Sequence, residues 1–300
     1  MNYKCVSTYY RLPTTNYPLF TFHFSLFTPT HHYQNSPYLA TQNTNAMNCR
    51  FLCYTYTILL CFNWGILPII AQSVTDCSQL VPGAFALCET FTDADFTNSP
   101  AWSGDDADFV IDAQQLRSAA TSPSPVQLTT PVALSMADAD LQWEFFARLR
   151  FNTSANNFAD VYLSSNTNDL KGGNVSGYFV RIGGTPDEVS LWRKDGTAAP
   201  VMLIDGTDGL TVTTNNLLRI KVRRTAAGVW TLQRDFGLTG VYVTEGAATD
   251  VTYTAGTQFG FLVYYTSSNS ANFHFDDIYI GQPIIDTTPP TVTNVFTTSN

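Results

Sequence analysis

The stretch Gly177–Gly196, GYFVRIGGTPDEVSLWRKDG, contains two segments whose side chains alternate on either side of a turn. Alternation with a period of two residues is typical of a β-strand. The intervening GGTPD contains residues that accept positive φ or preset a turn. We therefore predict a β-hairpin. In its first strand, Tyr178, Val180 and Ile182 point one way, and Phe179 and Arg181 point the other. In its second strand, Val189 and Leu191 share one face, and Ser190, Trp192 and Lys194 share the opposite face.

Similar alternating segments extend from Phe91 to Ile280, separated by turns that contain Gly, Asn or Asp. No helix of any length is indicated. Short strands joined by such turns predict an all-β domain, a two-sheet antiparallel sandwich. The clearest of these strands are Leu141–Phe151, Leu217–Arg224, Gly228–Asp235, Gln258–Thr266 and Asn272–Ile280.

The first 46 residues differ in composition from the rest of the chain, because they contain no Asp or Glu and little alternation. We interpret residues 1–46 as a disordered head or an over-extended translation start. Three of the four histidines lie here, and a metal-binding tract is the alternative interpretation. No carboxylate or regular spacing supports that alternative for His23, His31 and His32.

Residues 47–71 have the composition of a secretory signal peptide. Met47 is followed by Arg50, by an apolar run over residues 56–70 and by the small residue Ala71. A membrane anchor is the alternative, but the run is too short and too interrupted to span ~30 Å of hydrocarbon as a regular helix. We therefore predict export to the exterior or the cell surface, with no stable membrane insertion after cleavage.

Two cysteines remain in the exported chain after cleavage. Cys77 and Cys88 lie within a predicted linker over residues 72–88, and cysteines of exported proteins most often pair, so we predict a disulfide between them.

The charge of the exported chain limits its partners. All 24 acidic residues but only 12 of the 15 basic ones follow residue 71, since Lys4, Arg11 and Arg50 precede it. The excess of negative charge argues against nucleic acid as a partner.

Five motifs in order carry a resemblance to a known family: WEFFARLRF, the hairpin above, LIDGTDG, LRIKVRR with GVWTLQRD, and FGFLVYYTSSNSANFHFDDIYIG. Together they resemble the N-terminal concanavalin A-like domain of secreted multidomain proteins from Bacteroidota-type bacteria, many of which continue into Ig-like or lamin-tail-like modules. The resemblance covers Glu89–Ile280 and implies a jelly roll over residues 89–282 and an exported location, with no particular activity. Residues 283–300, with DTTPPTV, resemble the linker into an Ig-like domain.

Catalysis is not indicated by the sequence. Glycosidases with a concanavalin-like fold need two carboxylates on one strand, spaced E-x-D-x-E or E-x-D-x-x-E. None of the glutamates begins or completes that spacing, and there is no G-x-S-x-G motif. The lone histidine of the domain, His274, is more typical of a structural residue. We therefore predict a non-catalytic domain. The glutamates that were considered for the glycosidase spacing are Glu89, Glu144, Glu188 and Glu245.

Calcium is the cofactor that the sequence indicates best, as a structural ion. Acidic residues lie on the first and last predicted strands, and jelly rolls commonly pair those strands. Clustered carboxylates are the ligands that Ca2+ prefers. Ordinary polar strand ends are the alternative. The candidate ligands are Glu89, Asp93, Asp276 and Asp277, with Asp95 near them.

Aromatic residues beside polar groups would bind carbohydrate, because sugar rings stack on aromatic rings and hydrogen-bond at the rim. We select Trp102, Tyr178 and Trp192, and consider also Tyr162, Tyr264 and Tyr265. The predicted function is a non-catalytic extracellular module for adhesion or for binding a polysaccharide or cell-surface glycan. An accessory domain of a secreted glycoside hydrolase and a purely structural spacer are the alternatives.

Overall fold

A computed structural model describes residues 77–80 and 85–284, together with the backbone of two strands near the N-terminus. Those two strands, β1 (Tyr3–Thr8) and β2 (Phe24–Pro29), form an antiparallel pair within a unit that spans Met1–Leu67. The rest of the predicted head, the predicted signal peptide and the tail from residue 285 lie outside the described residues. The predictions for those segments therefore stay predictions.

Fifteen strands form the second unit, and its described residues contain short 3-10 turns but no α-helix. The strands are β3 (Phe85–Glu89), β4 (Ser103–Gly104), β5 (Phe109–Asp112), β6 (Gln115–Ser118), β7 (Val126–Ser135), β8 (Leu141–Leu149), β9 (Phe158–Ser165), β10 (Ser176–Gly183), β11 (Glu188–Asp195), β12 (Val201–Ile204), β13 (Asn216–Arg224), β14 (Val229–Phe236), β15 (Val243–Thr249), β16 (Ala255–Tyr264) and β17 (Phe273–Gly281). No helix in this part of the chain is long and apolar enough to cross a membrane.

The strands form two antiparallel sheets. The seven-stranded sheet has the order β12-β11-β10-β9-β16-β7-β4, and the eight-stranded sheet has the order β15-β14-β13-β8-β17-β6-β5. The eighth strand of that sheet is the short β3, which lies outside this order and pairs with the second half of β17, beyond the part that pairs with β6. The predicted fold class, an all-β jelly-roll sandwich, is confirmed.

The predicted hairpin is β10 and β11, in the register Gly177↔Lys194 to Gly183↔Glu188. One of its faces is buried in the core and carries Tyr178, Val180, Ile182, Val189 and Leu191. Gly183 has φ +98°, and a Cβ there would lie 2.7 Å from the Cβ of Thr153. Glycine is therefore required at the start of this turn, for both conformation and space.

Aromatic residues fill the space between the sheets. Trp143 stacks on Trp230 with ring centroids 5.6 Å apart, both on the eight-stranded sheet. Phe261 of the seven-stranded sheet stacks on Phe275 of the eight-stranded sheet at 4.0 Å. The indole Nε1 of Trp143 donates to the backbone oxygen of Leu163 at 2.9 Å, so its one polar group is satisfied across the core.

The domain begins earlier than the sequence predicted. Phe85–Glu89 belongs to the eight-stranded sheet, so the predicted linker over residues 72–88 contains most of a strand. These residues form a strand because their side chains alternate in burial, with Leu87 and Glu89 both buried. A disulfide joins Cys77 to Cys88 and so attaches the preceding segment to this strand.

Candidate functional site

The outer face of the seven-stranded sheet carries an aromatic row beside a polar row. Side chains at alternate positions of β9, β10 and β11 point away from the core. Strand register places Trp192 beside Phe179 and Phe179 beside Tyr162, and these three form the aromatic row. Ser190, Arg181 and Asp160 form the polar row on the same three strands.

The rings of this face are arranged nearly parallel. Phe179 and Trp192 have centroids 6.3 Å apart and an interplanar angle of 7°. Phe158 and Tyr264 stack at 4.3 Å and 15°, on the other side of the polar row. Phe179 is buried, whereas Trp192, Phe158 and Tyr264 are each half-buried. The three half-buried rings are therefore partly accessible to solvent.

An ion pair lies between the two groups of rings. Arg181 Nε and Nη2 each donate to an oxygen of Asp160 at 2.8 Å. The Arg181 guanidinium lies 4.5 Å from the ring centroid of Phe158, 5.3 Å from that of Trp192 and 5.5 Å from that of Phe179. A cation at these distances is attracted by the ring faces. The geometry fixes the guanidinium in one orientation.

Burial and pairing act on the two charges in opposite directions. Burial raises the pKa of Asp160, while the hydrogen bonds and charge of Arg181 oppose that rise. For Arg181, burial alone lowers the pKa, but the hydrogen bonds and charge of Asp160 outweigh burial and raise it. The arginine therefore stays charged, and it is the group that keeps the buried carboxylate in place.

Two tyrosine hydroxyls flank the ion pair. Burial, and then the charge of Asp160, raise the pKa of Tyr162 and raise the pKa of Tyr264 to about 12. Both hydroxyls are therefore neutral at physiological pH and can donate.

The loop between β9 and β10 forms a wall at one side of this face. Its residues Leu170 and Val175 pack on the aromatic row, together with Leu262. The backbone N–H of Leu170 and that of Lys171 both donate to Gln127 Oε1, and Lys171 Nζ lies 2.8 Å from an oxygen of Asp105. These bonds hold the loop against the sheet.

We define the candidate site as the outer-face group around the ion pair, composed of Phe158, Asp160, Tyr162, Phe179, Arg181, Trp192 and Tyr264. It offers half-buried aromatic planes, a fixed cation and carboxylate, and two hydroxyl groups. Such a surface suits a neutral polar ring with many hydroxyls, because planes stack on its C–H faces and the polar groups hydrogen-bond at its edge.

Only one of the three selected carbohydrate-binding residues lies in this group. Trp192 is on the candidate site, but Trp102 is 3% exposed and stacks on Phe261 at 5.4 Å in the core. Tyr178 is 0% exposed and donates to Asp250. The assignments of Trp102 and Tyr178 to a ligand are corrected here, because both side chains are enclosed between the sheets. Tyr265 is also buried.

The sequence patterns did not point to Asp160, Phe158, Phe179 or Arg181 as site residues. A signal for two of them existed, since Phe179 and Arg181 occupy the outward positions of the predicted hairpin. A large ring beside a charge on an outward strand face is unusual for a solvated surface. Asp160 could not be found in this way, because its pairing with Arg181 depends on the register between β9 and β10.

The predicted calcium ligands do not assemble. The first and last strands do pair, with Glu89 opposite Ile278. However, Glu89 Oε1 accepts from the backbone N–H of Phe91 at 2.7 Å, and Asp277 pairs with Arg219 at 2.6 Å. Among the described residues, no three His, Cys, Asp or Glu side chains are grouped so that they could hold a metal ion. The assignment of Glu89, Asp93, Asp276 and Asp277 to one site is corrected.

The remaining carboxylates that could act in catalysis are dispersed and paired. Glu144 lies 3.2 Å from Lys221 on the outer face of the eight-stranded sheet, and Glu245 lies beside Arg234. Glu188 accepts from the backbone N–H of Gly206 at 3.1 Å. The absence of catalytic function stays a prediction.

The carboxyl group of Asp276 should make the free energy of unfolding depend on pH. Burial, and then the charge of Asp277, raise its pKa from 3.8 to about 7. Between these pH values the folded protein holds a proton that the unfolded chain releases, so the free energy of unfolding falls as pH rises through this window. We expect Asp276→Asn to raise the free energy of unfolding at pH ~8 by about 1–2 kcal/mol, discounted for partial exposure.

Urea denaturation at pH ~5 and pH ~8 checks this expectation, and the gain must be smaller at the lower pH because Asp276 is then largely protonated in the folded state. The exposed Asp208→Asn removes the same charge as a control and is expected to change stability little at either pH. An equal gain from Asp276→Asn at both pH values would show that Asp276 is not the titrating group.

Comparisons with known proteins find similarity in structure only. No family model matches the chain, and no curated protein matches it. Many solved structures align with it, among them the following three, all at low identity. The VIP36 exoplasmic/lumenal domain, in a form bound to Ca2+ and Man2, has TM-score 0.49 and 15% identity over 68% of this chain and 89% of that chain.

The Emp47p carbohydrate recognition domain has TM-score 0.48 and 11% identity, over 70% of this chain and 99% of that chain. The metal-free form of lectin I-B4 from Griffonia simplicifolia has TM-score 0.47 and 11% identity, over 65% of this chain and 98% of that chain. The fold assignment therefore rests on the chain's own two antiparallel sheets and not on these likenesses.

Proposed function

We propose that this domain binds a carbohydrate on the outer face of the seven-stranded sheet, as a non-catalytic module of an exported protein. The observation that carries the proposal is the Arg181–Asp160 pair set among the rings of Phe158, Phe179 and Trp192. Export, and a place in a longer multidomain protein, rest on the sequence of residues 47–71 and 283–300.

Stability alone gives a weak reason for such an ion pair. Removing two charges from water costs several kcal/mol each, and apolar residues of similar volume are often as stabilising as a buried pair. Recognition gives a stronger reason. An ordered carboxylate and guanidinium next to half-buried rings provide directional hydrogen bonds beside a stacking plane, which is the composition of a polar small-molecule site.

The alternatives differ in what they require of this face. A structural spacer would need no ligand, and an accessory domain of a glycoside hydrolase would bind the same polysaccharide that a neighbouring module cleaves. Adhesion is the same binding with the glycan fixed on a surface. We favour carbohydrate binding over the spacer because Trp192 and Tyr264 are half-buried on the outer face of the sheet rather than enclosed between the sheets.

The test is a glycan array on the full chain, followed by calorimetry with each oligosaccharide that binds. Mannose oligosaccharides are the first probes, since the VIP36 structure was obtained with them. We expect Trp192→Ala to weaken binding at least about tenfold, because it removes a stacking plane. Titrations with and without Ca2+ show whether the ion contributes.

Val229→Ala is the matched control, since it also removes an exposed apolar side chain but from the eight-stranded sheet. It should leave the affinity unchanged. Equal affinities for the wild type and Trp192→Ala would place the glycan elsewhere. Silence across the array, with and without Ca2+, would favour the spacer.

A further inference from the structure

A second group of polar residues lies on the outer face of the eight-stranded sheet. His274 is on β17, between Phe273 and Phe275, which point into the core. Strand register places Arg117 of β6 on one side of His274 and Arg148 of β8 on the other. Directly opposed residues of neighbouring strands have side chains on the same face, close enough to interact.

This group carries an excess of positive charge on an acidic protein. Arg148 Nε donates to the neutral amide oxygen of Asn215 at 2.7 Å. Arg117 Nε lies 2.9 Å from Asp112 Oδ2, although the two atoms are not aligned as a hydrogen bond. Arg150, two residues beyond Arg148, is exposed. Three arginines therefore act on His274, and the carboxylate of Asp112 opposes them.

His274 lacks partners within this group. Its side chain belongs to a residue 4% exposed, and neither Nδ1 nor Nε2 has a hydrogen-bond partner among the described residues. Guanidinium groups can only donate, so the arginines offer nothing to the imidazole N–H. A buried polar group without a partner is destabilising. The imidazole N–H of His274 lacks a hydrogen-bond acceptor, and an acceptor that carries negative charge would also suit the arginines.

We infer that the outer face of the eight-stranded sheet binds an oxyanion, a sulfate, phosphate or carboxylate group, between Arg117, Arg148, Arg150 and His274. Arginine binds such groups through two parallel hydrogen bonds, and charge-assisted hydrogen bonds of this kind are about twice as strong as neutral ones. The anion would also accept from the imidazole N–H. The inference does not depend on the proposed carbohydrate site, which lies on the other sheet.

Binding of the anion should be coupled to protonation of His274. Burial, then Arg148, Arg117 and Arg150, lower the pKa of His274 to about 4, and Asp112 opposes them. A bound anion would raise that pKa, so the bound protein takes up a proton and affinity rises as pH falls. The charged groups facing His274 are Arg117 on β6, Arg148 and Arg150 on β8, Asp112 on β5 and Asp276 on β17 itself.

The experiment is calorimetry on the full chain at constant ionic strength, with sodium sulfate, sodium phosphate and sodium acetate as probes. Dextran sulfate is compared with uncharged dextran to distinguish an ester on a polymer from a free ion. We expect Arg148→Gln and Arg150→Gln each to weaken sulfate or dextran sulfate binding about tenfold. Arg223→Gln removes the same charge elsewhere on this sheet and should change affinity less than about twofold.

Equal weakening by Arg223→Gln would mean that only net charge matters and would overturn the site. Failure of all four anionic probes to bind would overturn it too. In the wild type, affinity should increase between pH ~7 and pH ~5, and His274→Gln should abolish that increase. A pH dependence that survives in a folded His274→Gln variant would remove His274 from the site, and with it the inference.

Discussion

Replacing Arg181 with methionine should lower the free energy of unfolding by about 3–5 kcal/mol, because it leaves a buried carboxylate without its cation. The side chain of Asp160 is 4% exposed, and both of its carboxylate oxygens accept hydrogen bonds from Arg181. The change also removes a cation from between the rings of Phe158 and Trp192. Glycan binding at this face should be lost in the same variant.

The double variant Asp160→Asn, Arg181→Met separates the charge effect from the loss of packing. It should recover most of the lost stability, because an uncharged amide costs less to bury than a carboxylate. Lys171→Met breaks the more exposed pair with Asp105 and should cost less than about 1 kcal/mol. Chemical denaturation measures all three. A double variant as unstable as Arg181→Met alone would contradict the charge explanation.

The second large effect is expected at Asp250, where Asp250→Ala should lower the free energy of unfolding by about 3–5 kcal/mol. Its Oδ1 accepts from the buried Tyr178 hydroxyl at 2.5 Å and from the backbone N–H of Thr252 at 2.9 Å. Its Oδ2 accepts from Arg193. Asp250 follows β15 and so ties the end of the eight-stranded sheet to the hairpin in the seven-stranded sheet.

Acid should remove the same stabilisation. Burial by itself raises the pKa of Asp250, but donation from Tyr178, Thr252 and Arg193 outweighs burial and lowers it below 3.8. A carboxyl with a lowered pKa stabilises the folded state above its ordinary pKa, and this contribution is lost as pH falls through the folded value. Below pH ~4, acid should therefore lower the free energy of unfolding less in Asp250→Asn than in the wild type.

Tyr178→Phe is the control for Asp250→Ala, since it removes the two hydrogen bonds of the Tyr178 hydroxyl, with Asp250 and with the backbone N–H of Tyr253, and leaves the carboxylate with its other donors. It should cost about 1–2 kcal/mol. Urea denaturation at neutral pH compares the two variants. If Tyr178→Phe costs as much as Asp250→Ala, the hydroxyl rather than the carboxylate is the centre of this network.

The hairpin could be predicted because its signal is local. Alternation around Gly183 and Gly184 separated the residues of the two strand faces, and Tyr178 lies on the face that is buried. Its selection as a ligand contact relied on its aromatic ring, but its position on the strand determines that it is enclosed in the core. Trp102 lies outside any long alternating segment, so its burial against Phe261 depended on packing that no local pattern shows.

The polar parts of the site could not be predicted because they depend on pairing between distant strands. The sequence correctly indicated that β3 and β17 pair, but β17 has a shift in register between Asp276 and Tyr279, and Glu89 bonds to the backbone N–H of Phe91 instead. Asp277 has φ +48° at this irregularity and pairs with Arg219. Likewise, Asp160 meets Arg181 only through the register of β9 with β10.

Fluorine NMR of the full chain labelled with 5-fluorotryptophan tests the central claim most directly, because Trp192 is half-buried on the candidate site while Trp102, Trp143 and Trp230 are buried in the core. Trp192→Phe assigns the Trp192 signal. During titration with an oligosaccharide that binds, the Trp192 resonance should move while the three core resonances stay in place. Saturable binding that leaves the Trp192 resonance unmoved would contradict a carbohydrate site on the seven-stranded sheet.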